Sequence, residues 1–314
     1  MKLHGIFPPL TTPFGDHGEL ALERLSDNVA RYNRTRLAGY VVTGSTGEAV
    51  LLSRDEMERV WVAARDAASL DKVLIAGTGT DSTKETIERT NRAASLGYHA
   101  ALVKTPHYYK PQINDRLLAE HFLRVADAAR MPILVYCVPQ FTGVWVRAEL
   151  MHRLAQHPNI IGIKESSGDV GNVSQIVAAV PPGCQVLVGS AQTLWPSVAV
   201  GAVGGILGLA CVLPELCVEL YEAACRGDGE QARALQQRLT PAAVTIVARL
   251  GIVGIKYGME IAGYYGGPAR SPLLPLTEAE AREVETVLAR AAPPPAAQDF
   301  AAHAGNPSST ESLA

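Results

Sequence analysis

The 314-residue chain alternates short apolar runs with longer amphipathic segments up to about residue 208, and this alternation constrains its fold most strongly. The runs are continuous in Val, Ile, Leu and Ala, which is typical of parallel strands buried on both faces. Eight strand–helix units of about 25 residues therefore predict an α/β fold, a parallel sheet closed into a (β/α)8 TIM barrel. The predicted strands are residues 5–10, 39–43, 73–77, 100–104, 133–136, 160–165, 186–190 and 204–208.

Helix-start signals lie between these strands and continue after them. A Ser or Thr three residues before a Glu predicts a capping box at residues 53–56, 82–85 and 277–280. Beyond residue 208 the pattern becomes helical throughout. The predicted C-terminal helices are residues 214–226, 228–249, 251–263 and 277–291.

These patterns predict three regions. Residues 1–212 form a (β/α)8 catalytic barrel, and residues 213–291 form a C-terminal helical region packed on it. Residues 292–314 are rich in Ala, Pro, Ser and Gln and predict a disordered tail. A doubly wound open sheet is the alternative architecture, but its Gly-rich dinucleotide turn is poorly matched by the sequence GTGT at 77–80.

Composition argues against several function classes. The net charge of −3 offers no basic excess for nucleic acid or an anionic membrane surface. The longest apolar stretch, near residues 194–213, is interrupted by Pro196 and glycines, so we expect no membrane span. Five cysteines without a CxxC pair indicate reduced thiols and a cytoplasmic protein. Eight histidines without an HxxxH or HExxH motif lead us to expect no metal site.

Lys164 is the first candidate catalytic residue. It stands near the end of the predicted sixth strand, and the active sites of such barrels lie where the strands end. A buried lysine needs a reason, because the ammonium group is costly to desolvate. One reading is a lysine that leans out of the barrel to a carboxylate. The other is a nucleophile whose pKa is lowered by desolvation, so that its lone pair attacks a carbonyl.

Two further groups fall at the same end of the barrel. Tyr136 ends the fifth strand and could either pack as a core aromatic or move protons for the lysine. Ser45 and Thr46 lie in the loop GSTGE at 44–48, either as a plain glycine turn or as a cradle whose N–H groups bind an anion. An amine, a phenol and a carboxylate cradle on one face predict a 2-oxo-acid Schiff-base enzyme, which needs no cofactor.

At these residues the chain resembles the superfamily of dihydrodipicolinate synthase and N-acetylneuraminate lyase. The resemblance is carried by GIFPPLTTPF at 5–14, GSTGE at 44–48, YCVP at 136–139 and GIKE at 162–165, and extends in order from about residue 4 to 290. It implies a class I (Schiff-base) aldolase with a pyruvate-type imine on Lys164. It also implies a small-molecule 2-oxo acid as substrate and a homotetramer built as a dimer of dimers.

The resemblance also implies roles for individual residues. Tyr136 matches the proton shuttle, and Ser45 and Thr46 match the loop that binds the substrate carboxylate and relays protons. Tyr108 matches a tyrosine that crosses into a neighbouring subunit's site. The remaining substrate-binding candidates, at or near strand ends or in the loop after the fifth strand, are Ser166, Gly189, Ile206 and Phe141.

The subfamily depends on a smaller set of positions. Dihydrodipicolinate synthases resemble this chain but carry Arg where it has Phe141, and an aromatic ring cannot replace a bidentate guanidinium. Stretches 156–160, 164–166, 201–205 and 263–268 resemble 4-hydroxy-2-oxoglutarate aldolase instead, with departures at Thr46 and Cys137. We therefore expect cleavage of a 4-hydroxy-2-oxo acid, 4-hydroxy-2-oxoglutarate, to pyruvate and glyoxylate. The alternatives are a dihydrodipicolinate (4-hydroxy-tetrahydrodipicolinate) synthase, a sugar-acid lyase or dehydratase, and a non-catalytic 2-oxo-acid-binding barrel.

Overall fold

The computed structural model describes residues 1–291, so the predicted disordered tail at 292–314 lies outside the described residues. Eight strands form one sheet in the order β1-β8-β7-β6-β5-β4-β3-β2, and every neighbouring pair is parallel. The strands are β1 Gly5–Phe7, β2 Gly39–Val42, β3 Val73–Gly77, β4 Ala100–Lys104, β5 Ile133–Cys137, β6 Ile160–Glu165, β7 Gln185–Val188 and β8 Gly204–Ile206.

Backbone hydrogen bonds close the sheet between its first two strands. The Leu10 N–H donates to the Val41 carbonyl at 2.8 Å, and the Val41 N–H donates to the Pro8 carbonyl at 3.1 Å. The predicted (β/α)8 barrel is therefore confirmed, and the open doubly wound sheet is excluded because no pair of strands is left apart.

Helices surround this barrel and continue beyond it. The helices are α1 Leu22–Tyr32, α2 Arg54–Ala67, α3 Thr83–Ser95, α4 Asp115–Ala128, α5 Pro139–Thr142, α6 Ala148–Leu154, α7 Val170–Ala179, α8 Leu194–Ala199, α9 Pro214–Cys225, α10 Gly229–Ala242, α11 Gly251–Ile261 and α12 Glu278–Ala291. Short 3-10 turns follow several strands. They are Ala49–Leu51, Lys110–Gln112, Ala191–Thr193 and Gly208–Cys211. The division of the chain at residue 212 stays a prediction.

Four strands end earlier than the sequence predicts, β2 by one residue at Val42. β1 stops at Phe7 because Pro8 and Pro9 carry no N–H for a regular ladder. β7 stops at Val188, two residues before the predicted end. β8 stops at Ile206 and leads into the turn Gly208–Cys211. The earlier ends lengthen the loops at the mouth of the barrel.

The predicted helix at residues 228–249 is two elements. α10 ends at Ala242, and a π-helix covers Ala243–Arg249. Pro241 lies inside the last turn of α10, where its missing N–H and its ring disturb the regular α-helical ladder. A wider π-helical turn accommodates that disturbance, and such turns are frequent at functional sites.

The predicted capping boxes differ in completeness. At residues 53–56 and 277–280 both reciprocal hydrogen bonds are present. At the start of α3 the Ser82 hydroxyl accepts from the Glu85 N–H, but the Glu85 carboxylate pairs with Arg89 instead of returning to Ser82. That prediction was therefore half correct, because an arginine one turn further along the helix competes for the carboxylate.

Two apolar clusters form the core. The larger fills the space between the barrel and its helices, and the smaller fills the barrel interior. The interior cluster alternates along the strands, so residues that face inward on one strand neighbour inward residues on the next. Its buried members are Leu3, Phe7, Val41, Ile75, Ala100, Leu102, Leu134, Tyr136, Val138, Leu187 and Ile206.

Gly162 allows β6 to lie against β7, and we predict that Gly162→Ala destabilises the barrel. A β-bulge shifts the register where β6 reaches Gly162, and a Cβ there would lie 2.0 Å from the Gln185 carbonyl oxygen. Backbone atoms cannot yield easily, so urea unfolding should show a loss of about 1–3 kcal/mol. The matched control is Gly229→Ala, where a Cβ meets nothing within 4 Å. An equal loss in both variants would contradict the steric explanation.

Candidate active site

A cavity of about 450 Å³ opens at the carboxyl ends of the strands, where the sequence places the site. Its lining brings together most of the predicted site residues from separate parts of the chain. Those residues are Ser45, Thr46, Tyr136, Phe141, Lys164, Ser166, Gly189 and Ile206. The predicted Tyr108 is not among them.

Lys164 lies at the inner wall of this cavity. Its register partners are Tyr136 on β5 and Leu187 on β7, both members of the interior cluster, so the lysine also faces the barrel interior. The residue is 5% exposed, and Nζ lies 4.3 Å from the centroid of the Tyr136 ring. Burial lowers the pKa of Lys164 to about 7, while the Cys211 thiol nearby opposes that shift. At neutral pH a large fraction of the amine is therefore uncharged and nucleophilic.

The alternative reading of Lys164, a lysine paired with a carboxylate, does not fit the geometry. Within residues 1–291 no carboxylate oxygen lies within 4.0 Å of its Nζ, whereas Lys256 and Lys104 have Glu48 and Asp81 at 2.6 and 3.9 Å. The adjacent Glu165 accepts hydrogen bonds from the Ser167 N–H and the Asn172 side chain. Alternation along β6 sends this carboxylate to the opposite face of the strand. The amine is thus desolvated without compensation.

Tyr136 connects the lysine to the loop at 44–48. Its phenolic oxygen lies 3.3 Å from Ser45 Oγ, within hydrogen-bond distance. Burial raises the pKa of Tyr136 to about 12, with the Ser45 and Ser166 hydroxyls lowering it in part. The phenol therefore stays protonated at neutral pH and can donate one proton while accepting another. Tyr136 and Ser45 can exchange a proton directly, and Lys164 Nζ lies over the face of the Tyr136 ring.

The loop at 44–48 is held in an unusual conformation. Thr43 and Glu48, at its two ends, have φ of 58° and 56°, in the left-handed region that non-glycine residues rarely occupy. The Thr43 hydroxyl accepts a 2.7 Å hydrogen bond from the Trp61 indole, which helps to hold the entry to the loop. Within residues 1–291 the backbone N–H groups of Ser45 and Thr46 donate to no protein acceptor. Free backbone donors in such a loop suit an anion such as a carboxylate.

Ser166 and Gly189 occupy one side of the cavity. Ser166 Oγ is buried and makes no hydrogen bond of normal geometry within the described residues, so it is available to a ligand. A Cβ at position 189 would lie 1.8 Å from Ser166 Oγ, which explains why glycine stands there. Ile206 belongs to the interior cluster below, and Phe141 is 67% exposed at the rim.

Tyr108 lies away from this cavity. Its side chain is 75% exposed and meets Tyr109 edge to face, with ring centroids 5.2 Å apart. Both its N–H and that of His107 donate to Asp81. One chain alone does not bring Tyr108 to Lys164, so its predicted place in a neighbouring subunit's site stays a prediction.

Sequence reasoning missed a second lysine at the barrel mouth. Lys104 ends β4 and is the register partner of Tyr136 on the side opposite Lys164. It lines an adjoining cavity of about 360 Å³ that also includes Ser45 and Tyr136. Burial lowers the pKa of Lys104, and Asp81, 3.9 Å away, opposes the shift. The rule that selected Lys164, a lysine at the end of a buried strand, would have found it.

The π-helix forms the outer wall of the cavity and was also not predicted. Ala243, Val247 and Arg249 line the cavity from this element, and Ile252 and Ile255 continue the wall from α11. Arg249 also forms an ion pair with Glu283 of α12. Among the described lining residues, the basic side chains are Lys164 and Arg249.

Residues 1–291 contain no group of three or more His, Cys, Asp and Glu side chains placed to hold a metal ion. In the same part of the chain, none of the helices has both the length and the apolar character required to span a membrane.

A family model described as the dihydrodipicolinate synthetase family matches residues 2–291. The chain belongs to this family. A 4-hydroxy-tetrahydrodipicolinate synthase of an Exiguobacterium species is 37% identical over 273 residues, 87% of this chain and 92% of that protein. One from Methanothrix thermoacetophila is 36% identical over 287 residues, 91% of this chain and 96% of that protein.

Solved structures agree with the family match. A 4-hydroxy-tetrahydrodipicolinate synthase from Methylacidiphilum fumariolicum superposes with a TM-score of 0.88 at 29% identity, covering 92% of this chain and 96% of that chain. A dihydrodipicolinate synthase from Aquifex aeolicus gives 0.87 at 31% identity, covering 91% and 97%. The predicted superfamily is confirmed, and the chain is an enzyme of the Schiff-base aldolase and lyase class that acts on small molecules.

The lowered pKa of Lys164 leads to a pH prediction. The ammonium form cannot attack a carbonyl, so imine formation with pyruvate should accelerate as the pH rises and reach half its plateau near pH 7. Below that midpoint we expect about a tenfold loss for each pH unit. Quenching with borohydride at short times, followed by intact mass, measures this rate. A midpoint near the ordinary lysine value of about 10.4 would show that the amine is not desolvated.

Proposed function

We propose that this protein is a class I aldolase that forms a Schiff base between Lys164 and a pyruvate-type 2-oxo acid. The single observation that carries the proposal is the buried Lys164 amine, which has no carboxylate partner among the described residues and lies 4.3 Å from the Tyr136 ring centroid. Membership of the family supports it independently.

The proposed reaction begins with the neutral amine. The Lys164 nitrogen attacks the 2-oxo carbon, and the resulting carbinolamine loses its hydroxyl as water after taking a proton from Tyr136. During the attack one amine proton passes to the substrate oxygen, and the transfer of the Tyr136 proton then leaves the protonated imine and a phenolate. Ser45, 3.3 Å from the phenol, passes a solvent proton to that phenolate and restores Tyr136. The protonated imine then accepts the electron pair of a C3–H or C3–C4 bond. Loss of a proton gives an enamine that adds to an aldehyde, and breaking C3–C4 reverses that addition.

The substrate carboxylate has a proposed place beside the lysine. The N–H groups of Ser45 and Thr46 have no protein acceptor among the described residues, and the Ser166 hydroxyl makes no hydrogen bond of normal geometry there. Together these groups can bind the pyruvyl carboxylate and keep C2 within reach of Nζ. Fixing the reacting atoms in this way supplies a large part of the rate of such reactions.

The aldehyde partner is the finer question, and two observations favour different candidates. Relatives 35–37% identical to this chain are named 4-hydroxy-tetrahydrodipicolinate synthase, which supports condensation of pyruvate with aspartate semialdehyde as the first candidate. Phe141 at the rim, where the resemblance expects Arg, supports glyoxylate and the cleavage of 4-hydroxy-2-oxoglutarate as the second. Both aldehydes carry a carboxylate, so we propose that Arg249 binds the acceptor in either reaction.

Two properties implied by the resemblance stay predictions. The exposed pair Tyr108 and Tyr109 is compatible with the expected homotetramer, in which Tyr108 would enter a neighbouring site. Sedimentation of the purified chain tests that assembly. The expected cytoplasmic location is likewise a prediction.

Covalent trapping tests the central proposal. Incubation with pyruvate and borohydride should add one reduced pyruvyl group per chain, and peptide mapping should place it on Lys164. Lys164→Met should abolish the adduct, whereas Lys72→Met, which removes a lysine just before β3 at the opposite end of the barrel, should leave it unchanged. A label on Lys104 instead would identify Lys104, in the adjoining cavity, as the nucleophile. Tyr136→Phe should slow trapping by about 10²-fold or more, because proton transfer is lost.

A substrate comparison tests the aldehyde partner. Two rates are compared, the condensation of pyruvate with aspartate semialdehyde and the cleavage of 4-hydroxy-2-oxoglutarate. We expect one of them to exceed the other by at least tenfold. Arg249→Gln should raise KM for the preferred carboxylate-bearing partner by about 10-fold or more while leaving pyruvate trapping unchanged. Activity with neither, combined with a pyruvate adduct on Lys164, would direct the search to sugar acids. Stabilisation by pyruvate with no adduct and no product would support a non-catalytic binding barrel.

A further inference from the structure

A buried ion pair joins the loop at 44–48 to the C-terminal helices. Lys256 of α11 places Nζ 2.6 Å from Glu48 Oε1, and their side chains are 2% and 0% exposed. Burying two charges is costly, and apolar residues of similar volume often fill such space with equal or greater stability. The pair is therefore poorly explained by stability alone.

Each partner of this pair is held at a second point. The other carboxylate oxygen of Glu48 accepts a 2.8 Å hydrogen bond from the Arg270 N–H. The Lys256 ammonium donates to the Pro268 carbonyl at 2.7 Å and lies 4.6 Å from the centroid of the Phe14 ring. The Arg270 guanidinium is itself fixed by both oxygens of Glu56. Glu48 cannot shift without disturbing the segment at 266–270.

The loop needs such an anchor because its conformation is strained. Glu48 has a left-handed φ of 56°, and non-glycine residues keep that conformation only when their surroundings determine it. Its N–H donates to the Ser45 carbonyl at 3.0 Å, so a change at Glu48 is passed directly to Ser45. Ser45 in turn lies 3.3 Å from the Tyr136 hydroxyl.

The same helix that supplies Lys256 also shapes the cavity. Ile252 and Ile255, which both precede Lys256 in the helix, line its wall. Lys256 follows Ile255 directly and points instead to Glu48. Gly266 permits this arrangement, because a Cβ there would lie 2.0 Å from the Lys256 carbonyl oxygen.

We propose that Glu48 and Lys256 are positioning residues. They hold the Ser45–Thr46 loop at the correct distance from Tyr136 and Lys164. They touch neither the substrate nor the reacting atoms, and they act through the loop backbone. The inference rests on the proposed Schiff-base function and adds a requirement to it. The C-terminal helices determine how fast the imine forms.

The test compares stability with the rate of imine formation in four variants. Glu48→Gln and Lys256→Met each leave one buried charge unpaired, so both should lower the melting temperature and the trapping rate with pyruvate. The double variant Glu48→Gln/Lys256→Met removes both charges and should regain much of the melting temperature. Its trapping rate at saturating pyruvate should stay at least tenfold below that of the wild-type protein, because the ion pair no longer holds the loop. Lys72→Met, which removes a buried lysine just before β3 at the opposite end of the barrel, is the matched control and should lose stability without slowing trapping.

The outcomes separate the two proposals. A double variant whose trapping rate recovers together with its melting temperature shows that the pair is only structural, and overturns the inference. The pH midpoint of trapping should be unchanged in every variant, since the Lys164 environment is intact. Should the double variant fail to fold, Glu48→Asp, which keeps the charge but shortens its reach, must slow trapping at least tenfold or the inference fails. A wild-type protein that forms no adduct instead overturns the proposed function, and this inference with it.

Discussion

The removal of one amine from water, without a counter-charge to compensate, is the constraint on which this site depends. The neighbouring carboxylate of Glu165 does not stabilise a charge on Lys164. Alternation along β6 directs that carboxylate to the other face, where it accepts hydrogen bonds from Ser167 and Asn172. Low dielectric around the amine then favours its neutral form. The same strand geometry that builds a packed barrel interior therefore also produces a nucleophile.

Two lysines flank Tyr136 on one level of the barrel, and their surroundings distinguish them. Lys104 has Asp81 and His107 beside it, with His107 Nδ1 3.2 Å from its Nζ, so polar groups stabilise its charged form. Lys164 has an aromatic ring face instead. Lys104 is also the less buried of the two, with a side chain 17% exposed, whereas Lys164 is 5% exposed. Burial and the absence of a counter-charge together separate the proposed nucleophile from its neighbour.

Much of the fold and the centre of the site could be predicted from local sequence. Continuous apolar runs located all eight strands, and the rule that barrel sites lie at strand ends selected Lys164 and Tyr136. What could not be predicted depends on contacts between distant segments. Pairing of Glu48 with Lys256 leaves no periodic pattern, and Pro241 signals a disturbed helix without revealing that seven π-helical residues follow. The choice of aldehyde substrate near Phe141 also depends on distant segments, because it is set by the loops that face this ring.

The C-terminal helices are part of the site for an electrostatic reason. The loop that faces the proposed substrate carboxylate ends in Glu48, a buried negative charge that would oppose an anionic ligand if left alone. Lys256 supplies the matching positive charge from α11, at a distance of 2.6 Å. A barrel without these helices would keep Lys164 and Tyr136 but would present the substrate with an uncompensated carboxylate behind its own binding loop. Lys256 of α11 therefore has two roles at once. It holds the loop in place, and it neutralises the charge of Glu48.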